Sequence, residues 1–562
     1  MNVTKITQSN GSSFEIERDY VAHIDTDKCV NCGVCRENCP VEAIDEAQRW
    51  ICRVCPGCTD QPVMRLEDID ALCTKQSCTT VCPLGISPQG YIGLAKNGKL
   101  DEAYKLIWEK NPLPSVCGHI CHHPCEQVCK RGVLVDDPMA IRGIKRYLSE
   151  KVEYKRPAYP RLYDEKVAVI GAGPAGLSAG HFLSSLGYDV TIYEANEEPG
   201  GMLVRGIPEF RLDRKAVRDD IAKLCEAGLK IQCCSPLGKK QVKELQKEYD
   251  AVVVAAGTPH GKEITWVPKW NYDGVYTAIQ FMDFMNNDQD IHRLPSQNFV
   301  VEGKEGVVIG GGSVAMDTAR AAIRLGAKKV TAVCLEEGDA VPAHKWEKEE
   351  AQEEGVEFVE GYSPKAYCGR VNTLEGIDFV KVTDYAKDSS GKITFKTDDA
   401  QLIHIPASFC IVAIGQYADK IYPEPDNESV FYAGDIAGGP CSVIDALASG
   451  RKAAFAVDTA LKGRKLKRAE VEHKLTAAPR EDKIYPCNRR RTMPHKRPMT
   501  DPKERIKTFD EVEQTYKDRQ FEQETLRCLG CGFSSINTDK CIGCGVCERL
   551  CPKGDVITMV KK

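Results

Sequence analysis

The chain has 562 residues, and its 81 acidic and 76 basic side chains leave a net charge of -5. It is too long for one hydrophobic core and carries no field that would recruit nucleic acid or an anionic membrane. No apolar run approaches the roughly 18 residues of a membrane-spanning helix, and Met1 to Tyr20 lacks the apolar stretch of a secretory signal, so a cytoplasmic protein is expected. Its 28 cysteines then point to metal ligation, because thiols in that compartment are kept reduced. Twenty of them fall in short-spaced groups toward the two ends; the rest are scattered and read as packing residues.

Residues 1–65 read as a ferredoxin-like iron-sulfur segment. Cys29, Cys32, Cys35 and Cys39, followed by Pro40, give the run in which three thiolates reach one cubane and the fourth points to a neighbouring cluster. Zinc would normally place a longer stretch between two cysteine pairs. Cys52, Cys55 and Cys58 form a further triplet that with Cys39 would complete a crossed arrangement. The first triplet then lacks a fourth thiolate, and Asp60, a distant cysteine or a three-iron cluster all stay open, as does one cluster against two.

Residues 66–155 alternate helical patterns with Cys73, Cys78 and Cys82, then Cys117, Cys121, Cys125 and Cys129. From 156–300 the chain takes on strand-turn-helix patterns. Lys166 to Ile170 runs into Gly171, Gly173, Pro174, Ala175 and Gly176, where glycine serves a tight turn, close approach to a pyrophosphate and helix-on-strand packing. Glu194 ends the next strand, where an acid holds adenosine ribose hydroxyls. A second loop opens the stretch 301–404, with Gly310, Gly312, Ser313, Ala315 and Asp317 in the Gly-x-Gly-x-x-Ala form. The strand after it ends in Leu335, Glu336 and Glu337, and a carboxylate there favours a ribose diol over a 2'-phosphate. NADH is therefore expected over NADPH, with Lys328, Lys329 or a partner residue as the groups that would reverse that choice. Apolar strands recur in 405–465, as if the second unit were inserted in the first. A basic linker is expected over 466–527, and 528–562 reads as a second ferredoxin-like segment. There Cys541, Cys544, Cys547 and Cys551 repeat the first motif, and Cys528 and Cys531 either lend it a ligand or belong to a further cluster.

The segment Asn111 to Cys129, with Pro112-Leu113-Pro114, Cys117-Gly118 and Pro124-Cys125-Glu126, resembles the N-terminal cluster domain of the glutamate synthase small subunit, shared with dihydropyrimidine dehydrogenase and the large subunit of ferredoxin-dependent transhydrogenase. The resemblance extends over about Asp70 to Arg451. It implies an α/β fold of two Rossmann-like domains, the NAD(P)H domain inserted in the FAD domain, behind a helical iron-sulfur domain. It also implies that Cys73, Cys78 and Cys129 hold one 4Fe-4S cluster and that Cys82, Cys121 and Cys125 hold most of another. Asp70 stands where the family has its first cysteine, as a carboxylate ligand or an ordinary helix N-terminal residue. Lys145 replaces a Gln or Glu ligand, which leaves Cys117 as the candidate fourth. Gly201, Met202, Arg211, Gly415, Gly434 and Asp435 fall in segments similar to the family's FAD contacts.

The function implied is an FAD-dependent NAD(P)H oxidoreductase that exchanges single electrons through about four to five 4Fe-4S clusters with a ferredoxin-, hydrogenase-, dehydrogenase- or transhydrogenase-type subunit, electron bifurcation remaining open. Hydride transfer to a flavin needs no protein acid or base, and no catalytic side chain is assigned. A disulfide reductase would need a Cys-x2-Cys pair in the α/β region, where Cys233 and Cys234 are adjacent and Cys225 remote. A relay and docking subunit without NAD(P)H turnover and a glutamate synthase small subunit are the alternatives.

Overall fold

The computed structural model describes residues 3–7, 13–17, 20–26, 28–48, 50–51, 78–267, 272–287, 293–294, 299–388, 393–426, 428–463, 484–485, 494–495, 497–538, 540–541 and 543–561. Cys52, Cys55, Cys58, Asp70 and Cys73 lie outside them. The chain divides into two units: residues 1–157, 464–498 and 515–562 make the first, and residues 158–463 and 499–514 the second.

The second unit is the doubly nested α/β region expected from the two glycine loops. Its first sheet is wholly parallel, in the order Val430–Tyr432, Ala251–Val254, Lys166–Ile170, Asp189–Tyr193, Lys230–Gln232. The central strands are unbroken Val/Ile/Ala runs because helices cover both faces of a parallel sheet. The Val443–Lys462 helix, capped by the Ser442 hydroxyl and ended by Gly463 in the left-handed region, crosses Pro174–Leu186 so closely that a Cβ at Gly450 would lie 2.1 Å from the Ala175 carbonyl oxygen.

The chain leaves this sheet after Ala251–Val254 and returns to it at Val430–Tyr432. Between them lies a second parallel sheet, Val275–Thr277, Phe409–Val412, Glu305–Ile309, Lys329–Cys334, Glu357–Glu360. The inserted domain is thus wider than 301–404, because the short edge strand Val275–Thr277 pairs with Phe409–Val412. It also carries an antiparallel meander, Tyr362–Arg370, Thr373–Lys387 and Ile393–Pro406, whose exposed alternation gave no separate signal.

In the first unit the two terminal segments, expected as separate domains 1–65 and 528–562, are halves of one fold. Tyr20–Ile24 pairs antiparallel with Ile557–Lys561, and Ile44–Gln48 with Gly532–Ile536. Each half is one cysteine loop, one short helix and two short strands, too little for independent stability until the other half supplies partner strands. Beside it the helices Pro88–Lys96, Leu100–Trp108, Pro114–Ile120 and Ile141–Lys151 form the helical domain. The expected linker 466–527 is structured over much of its described length. In the second unit, Arg505 is buried against Glu354 at 2.7 Å. In the first, the Asp518–Leu526 helix packs on Pro88–Lys96 and Ile141–Lys151, where Phe521 stacks on Tyr147 with ring centres 3.9 Å apart.

Candidate redox sites

Gly171, at φ 98°, turns the Lys166–Ile170 strand into the Pro174–Leu186 helix. A Cβ at Gly176 would lie 1.9 Å from the Gly171 carbonyl oxygen, one at Gly201 2.9 Å from Gly173 Cα, and one at Gly434 2.7 Å from Ala175 Cβ. Glycine at these positions lets three backbone segments close on one cradle. Gly173 caps the helix without a side-chain bond, so the first-turn N–H groups and the positive end of the helix dipole remain available to a pyrophosphate. The cavity, about 1430 Å³ with its open mouth, is lined by Gly171, Gly173, Pro174, Ala175, Glu194, Gly201, Met202, Gly434 and Asp435.

Glu194 accepts from the Ala172 N–H at 2.8 Å and from the Asn196 N–H and side-chain amide at 2.9 and 2.6 Å. Asp435 accepts from the Cys441 N–H at 3.2 Å and the Thr258 hydroxyl at 3.3 Å, and burial raises its carboxyl above the usual range. A glycine cradle with an orienting carboxylate and a helix N-terminus fits an extended dinucleotide such as FAD.

Two expected contacts fall elsewhere. Arg211 does not line this cavity: its guanidinium donates to Asp317 at 2.8 Å and Glu347 at 2.9 Å beside the second loop. Gly415, at φ 115°, is not in the lining itself but accepts the Lys262 N–H at 2.9 Å and precedes Gln416, whose side chain accepts from Thr258 of the cavity wall at 3.0 Å. Conversely, Arg205, which bridges Asn196 at 2.5 Å and Asp283 at 2.6 Å in the cavity wall, was missed.

At the second loop, Gly310 holds φ 144°, where a Cβ would lie 2.4 Å from the Ala413 carbonyl oxygen, while the space beside Gly312 is open. Ala315 is fully buried. The side chains of Ser313 and Asp317 face the protein: Ser313 donates to Glu347 at 2.5 Å, and Asp317 accepts from Arg211. Glu336 is buried at the end of the following strand. It accepts from the Tyr385 hydroxyl at 3.0 Å, and its Oε2 stands 3.2 Å from a Cβ built on Gly311. That places a carboxylate beside the glycine loop. Lys328 and Lys329, at the opposite end of that strand from Glu336, pair with Glu305 and Glu357, while Lys348 pairs with Glu360 and Lys381 with Glu337.

The described cysteines are unbridged, and sixteen of them gather into four sets. Cys29, Cys32 and Cys35 line a cavity with Cys551; Cys39 lines another with Cys541, Cys544 and Cys547; each measures about 330 Å³. Cys39 thus faces the C-terminal triplet rather than serving a set built within the first 65 residues. Cys78 and Cys129 line a third cavity with Cys528 and Cys531. Cys82, Cys117, Cys121 and Cys125 surround Lys145; desolvation opposes its charge, and those sulfurs, when ionised, hold its pKa above the ordinary lysine value.

Burial pushes Cys32 and Cys35 up to about 12 and Cys547 to about 11, so free thiols there stay protonated, whereas a bound metal enforces the thiolate. Among the described residues only Cys368, Asp378 and His404 bring three such ligand atoms within 4.8 Å of one another. None of the four sets brings three of its sulfurs within that distance of one another.

Comparison with known proteins agrees with this geometry. Residues 165–450 match the pyridine nucleotide-disulphide oxidoreductase family, residues 53–156 the dihydropyrimidine dehydrogenase domain II with its 4Fe-4S cluster, and residues 22–45 and 535–555 the 4Fe-4S binding domain. The chain belongs to the pyridine nucleotide-disulphide oxidoreductase family and is an FAD-dependent NAD(P)H iron-sulfur oxidoreductase. It is 32% identical over 510 residues to the NADP(+)-dependent formate dehydrogenase subunit beta of Moorella thermoacetica, covering 81% of this chain and 70% of that one. To the NAD-dependent dihydropyrimidine dehydrogenase subunit PreT of Escherichia coli it is 31% identical, covering 74% of this chain and 98% of that one. To the glutamate synthase [NADPH] small chain of Azospirillum brasilense it is 28% identical, covering 68% and 86%. The resemblance drawn from Asn111 to Cys129 and the two glycine loops therefore holds. Among the described residues no helix is long and apolar enough to cross a membrane.

Proposed function

We propose that this chain is the electron-entry subunit of a cytoplasmic multi-subunit enzyme. NADH binds at the Gly310–Gly312 loop, FAD in the Gly171–Gly176 cradle, and 4Fe-4S clusters in the cysteine sets carry electrons to a further redox subunit. When bound, FAD supplies the exchange between a two-electron hydride and single electrons. The chain's own residues do the rest. Glycines and a helix N-terminus orient the flavin nucleotide, Glu194 stands at the ribose end, and Glu336 selects a nicotinamide nucleotide with a free ribose diol. The nested sheets let one unit hold both nucleotides.

The observation that carries the reading is the gathering of Cys29, Cys32, Cys35 and Cys551, and of Cys39, Cys541, Cys544 and Cys547, into two matched cavities of one ferredoxin-like fold. That is the crossed ligation of a two-cluster ferredoxin, here assembled from both ends of one chain, and it supplies an outlet. Relatives named as subunit beta, subunit PreT and small chain support a partner that bears the terminal acceptor.

The test is an anaerobic titration of the cluster-loaded protein with NADH and, separately, NADPH, following flavin bleaching and the cluster spectrum. Bleaching at much lower NADH than NADPH is expected. Preference for NADPH would overturn the role given to Glu336, and no bleaching by either would leave a relay subunit.

A further inference from the structure

We propose that Cys528 and Cys531 join Cys78 and Cys129 as the four thiolate ligands of one 4Fe-4S cluster, so that a segment near the end of the chain completes a site opened by the helical domain. The inference rests on the iron-sulfur reading above and assigns the pair differently from a role in the terminal motif.

Four observations carry it. The first is placement: the four cysteines line one cavity, walled by Gln89, Ile92, Met139 and Ile141. The second is arithmetic. The terminal motif needs no help from Cys528 or Cys531, because its first three cysteines already face Cys39 and its fourth faces Cys29, Cys32 and Cys35. The third is spacing, since a Cys-x2-Cys pair is the local unit from which cubane sites are built.

The fourth is the machinery that fixes the pair in place. Arg131, two residues after Cys129, donates to the carbonyl of Arg527 at 2.5 Å, and Arg527 immediately precedes Cys528. Both guanidiniums are buried and share Asp136, which pairs with Arg131 at 2.5 Å and Arg527 at 3.0 Å. Arg527 donates further to the Asp137 carbonyl at 2.8 Å and to Glu524 at 2.7 Å. Glu524, fully buried, also accepts the N–H of Ala140 at 2.9 Å and of His495 at 3.0 Å. A buried cluster of two cations and two carboxylates is a costly arrangement that holds only when every partner is in register. Here that register clamps the backbone beside Cys129 to the backbone beside Cys528. Tyr147, stacked on Phe521, donates its hydroxyl to Asp518 at 2.9 Å and anchors the start of the same helix.

The site also adjoins the next one. Pro88, Gln89 and Ile92 of the Pro88–Lys96 helix line this cavity, while Gly90 and Gly93 press against the first cysteine loop, where a Cβ would lie 2.6 Å from Cys32 Cα and 2.7 Å from Val30 Cβ. A single helix, about 10–12 Å across with its side chains, separates the completed site from the ferredoxin-like fold.

The experiment compares the full-length chain, purified anaerobically, with the Cys528→Ser/Cys531→Ser, Cys541→Ser and Cys73→Ser variants. Iron and sulfide per chain and the electron paramagnetic resonance spectrum of the reduced protein are read, with flavin content as the control for folding. The double variant is expected to lose about four irons and one spectral component, a different component from the one changed by Cys541→Ser, and Cys73→Ser is expected to keep it. Wild-type iron in the double variant, loss of the same component as in Cys541→Ser, or loss of the component in Cys73→Ser would each overturn the assignment. Should the double variant lack flavin, Cys531→Ser alone is read, and an unchanged spectrum overturns the proposal. A wild-type chain without iron would sink the iron-sulfur reading first.

Discussion

The two glycine loops share a pattern but are braced by different physics. Around the first, contact is backbone on backbone: Gly176 against Gly171, Gly201 against Gly173, Gly450 against Ala175. The helix that opens from it, Pro174–Leu186, carries no Asp, Glu, Lys or Arg. The helix after the second loop, Ser313–Arg324, buries Asp317, Arg320 and Arg324. These are answered by Arg211, Glu347, Glu350 and Glu354, and by Arg505 from the far end of the chain. The face of Phe210 lies under Arg324, 3.8 Å from the guanidinium carbon. The first site is thus intolerant of added volume, and the second of lost charge.

Added volume should break the first site outright. Gly176→Val puts a branched side chain where even a Cβ meets a carbonyl at 1.9 Å, so the purified variant is expected to lack flavin absorbance while the second loop still binds NADH in a calorimetric titration. Lost charge is the counterpart. Arg211→Met leaves Asp317 and Glu347 buried without their shared cation, at a cost of about 3–5 kcal/mol, read as a fall in unfolding free energy in denaturant titration. The same substitution at exposed Arg218 should change little.

Acid separates the loops next. Burial alone would push the Glu354 carboxyl up, but hydrogen bonds from Arg320 and Arg324 bring it down to about 2. A depressed carboxylate contributes stability that is fully present above its ordinary value of 4.5 and fades as pH falls toward about 2. The contribution is on the order of 3 kcal/mol. Circular dichroism melts across that window should show wild type losing stability faster than Glu354→Gln, which is less stable at neutral pH and flatter in acid.

This contrast explains what the sequence made legible. The loops and the cysteine spacings follow local rules, and each was readable from a few adjacent residues such as Gly171 to Gly176 or Cys541 to Cys551, while the nested order was readable from apolar strands recurring in 405–465. The braces are non-local. Nothing near Arg211 distinguishes a flavin contact from the partner of Asp317, 106 residues away. Likewise nothing in Cys29 to Cys39 announces that its partner strands lie at Gly532–Ile536 and Ile557–Lys561. A two-stranded half-fold carries the motif of a whole ferredoxin, and only the pairing reveals that it is half.

The finest distinction between the loops lies in their carboxylates. Glu194 is satisfied by three donors from Ala172 and Asn196, whereas the Glu336 carboxylate accepts from the Tyr385 hydroxyl, 3.0 Å away on the meander of the inserted domain. If Glu336 selects the nucleotide as proposed, Glu336→Gln removes its charge while keeping the shape, and the ratio of NADH to NADPH kcat/KM should fall by about 10–100-fold, the 1.5–3 kcal/mol of a hydrogen bond to a charged group. Tyr385→Phe keeps the charge and removes only what orients it. The expected effect is smaller, a rise in KM for NADH of about 2–10-fold, the 0.5–1.5 kcal/mol of a neutral hydrogen bond, with kcat unchanged because the ribose end is remote from the hydride. A fall in kcat instead would mean that Tyr385 holds the meander in place rather than the carboxylate, and that the second loop, like the helix behind it, is set by packing across the domain.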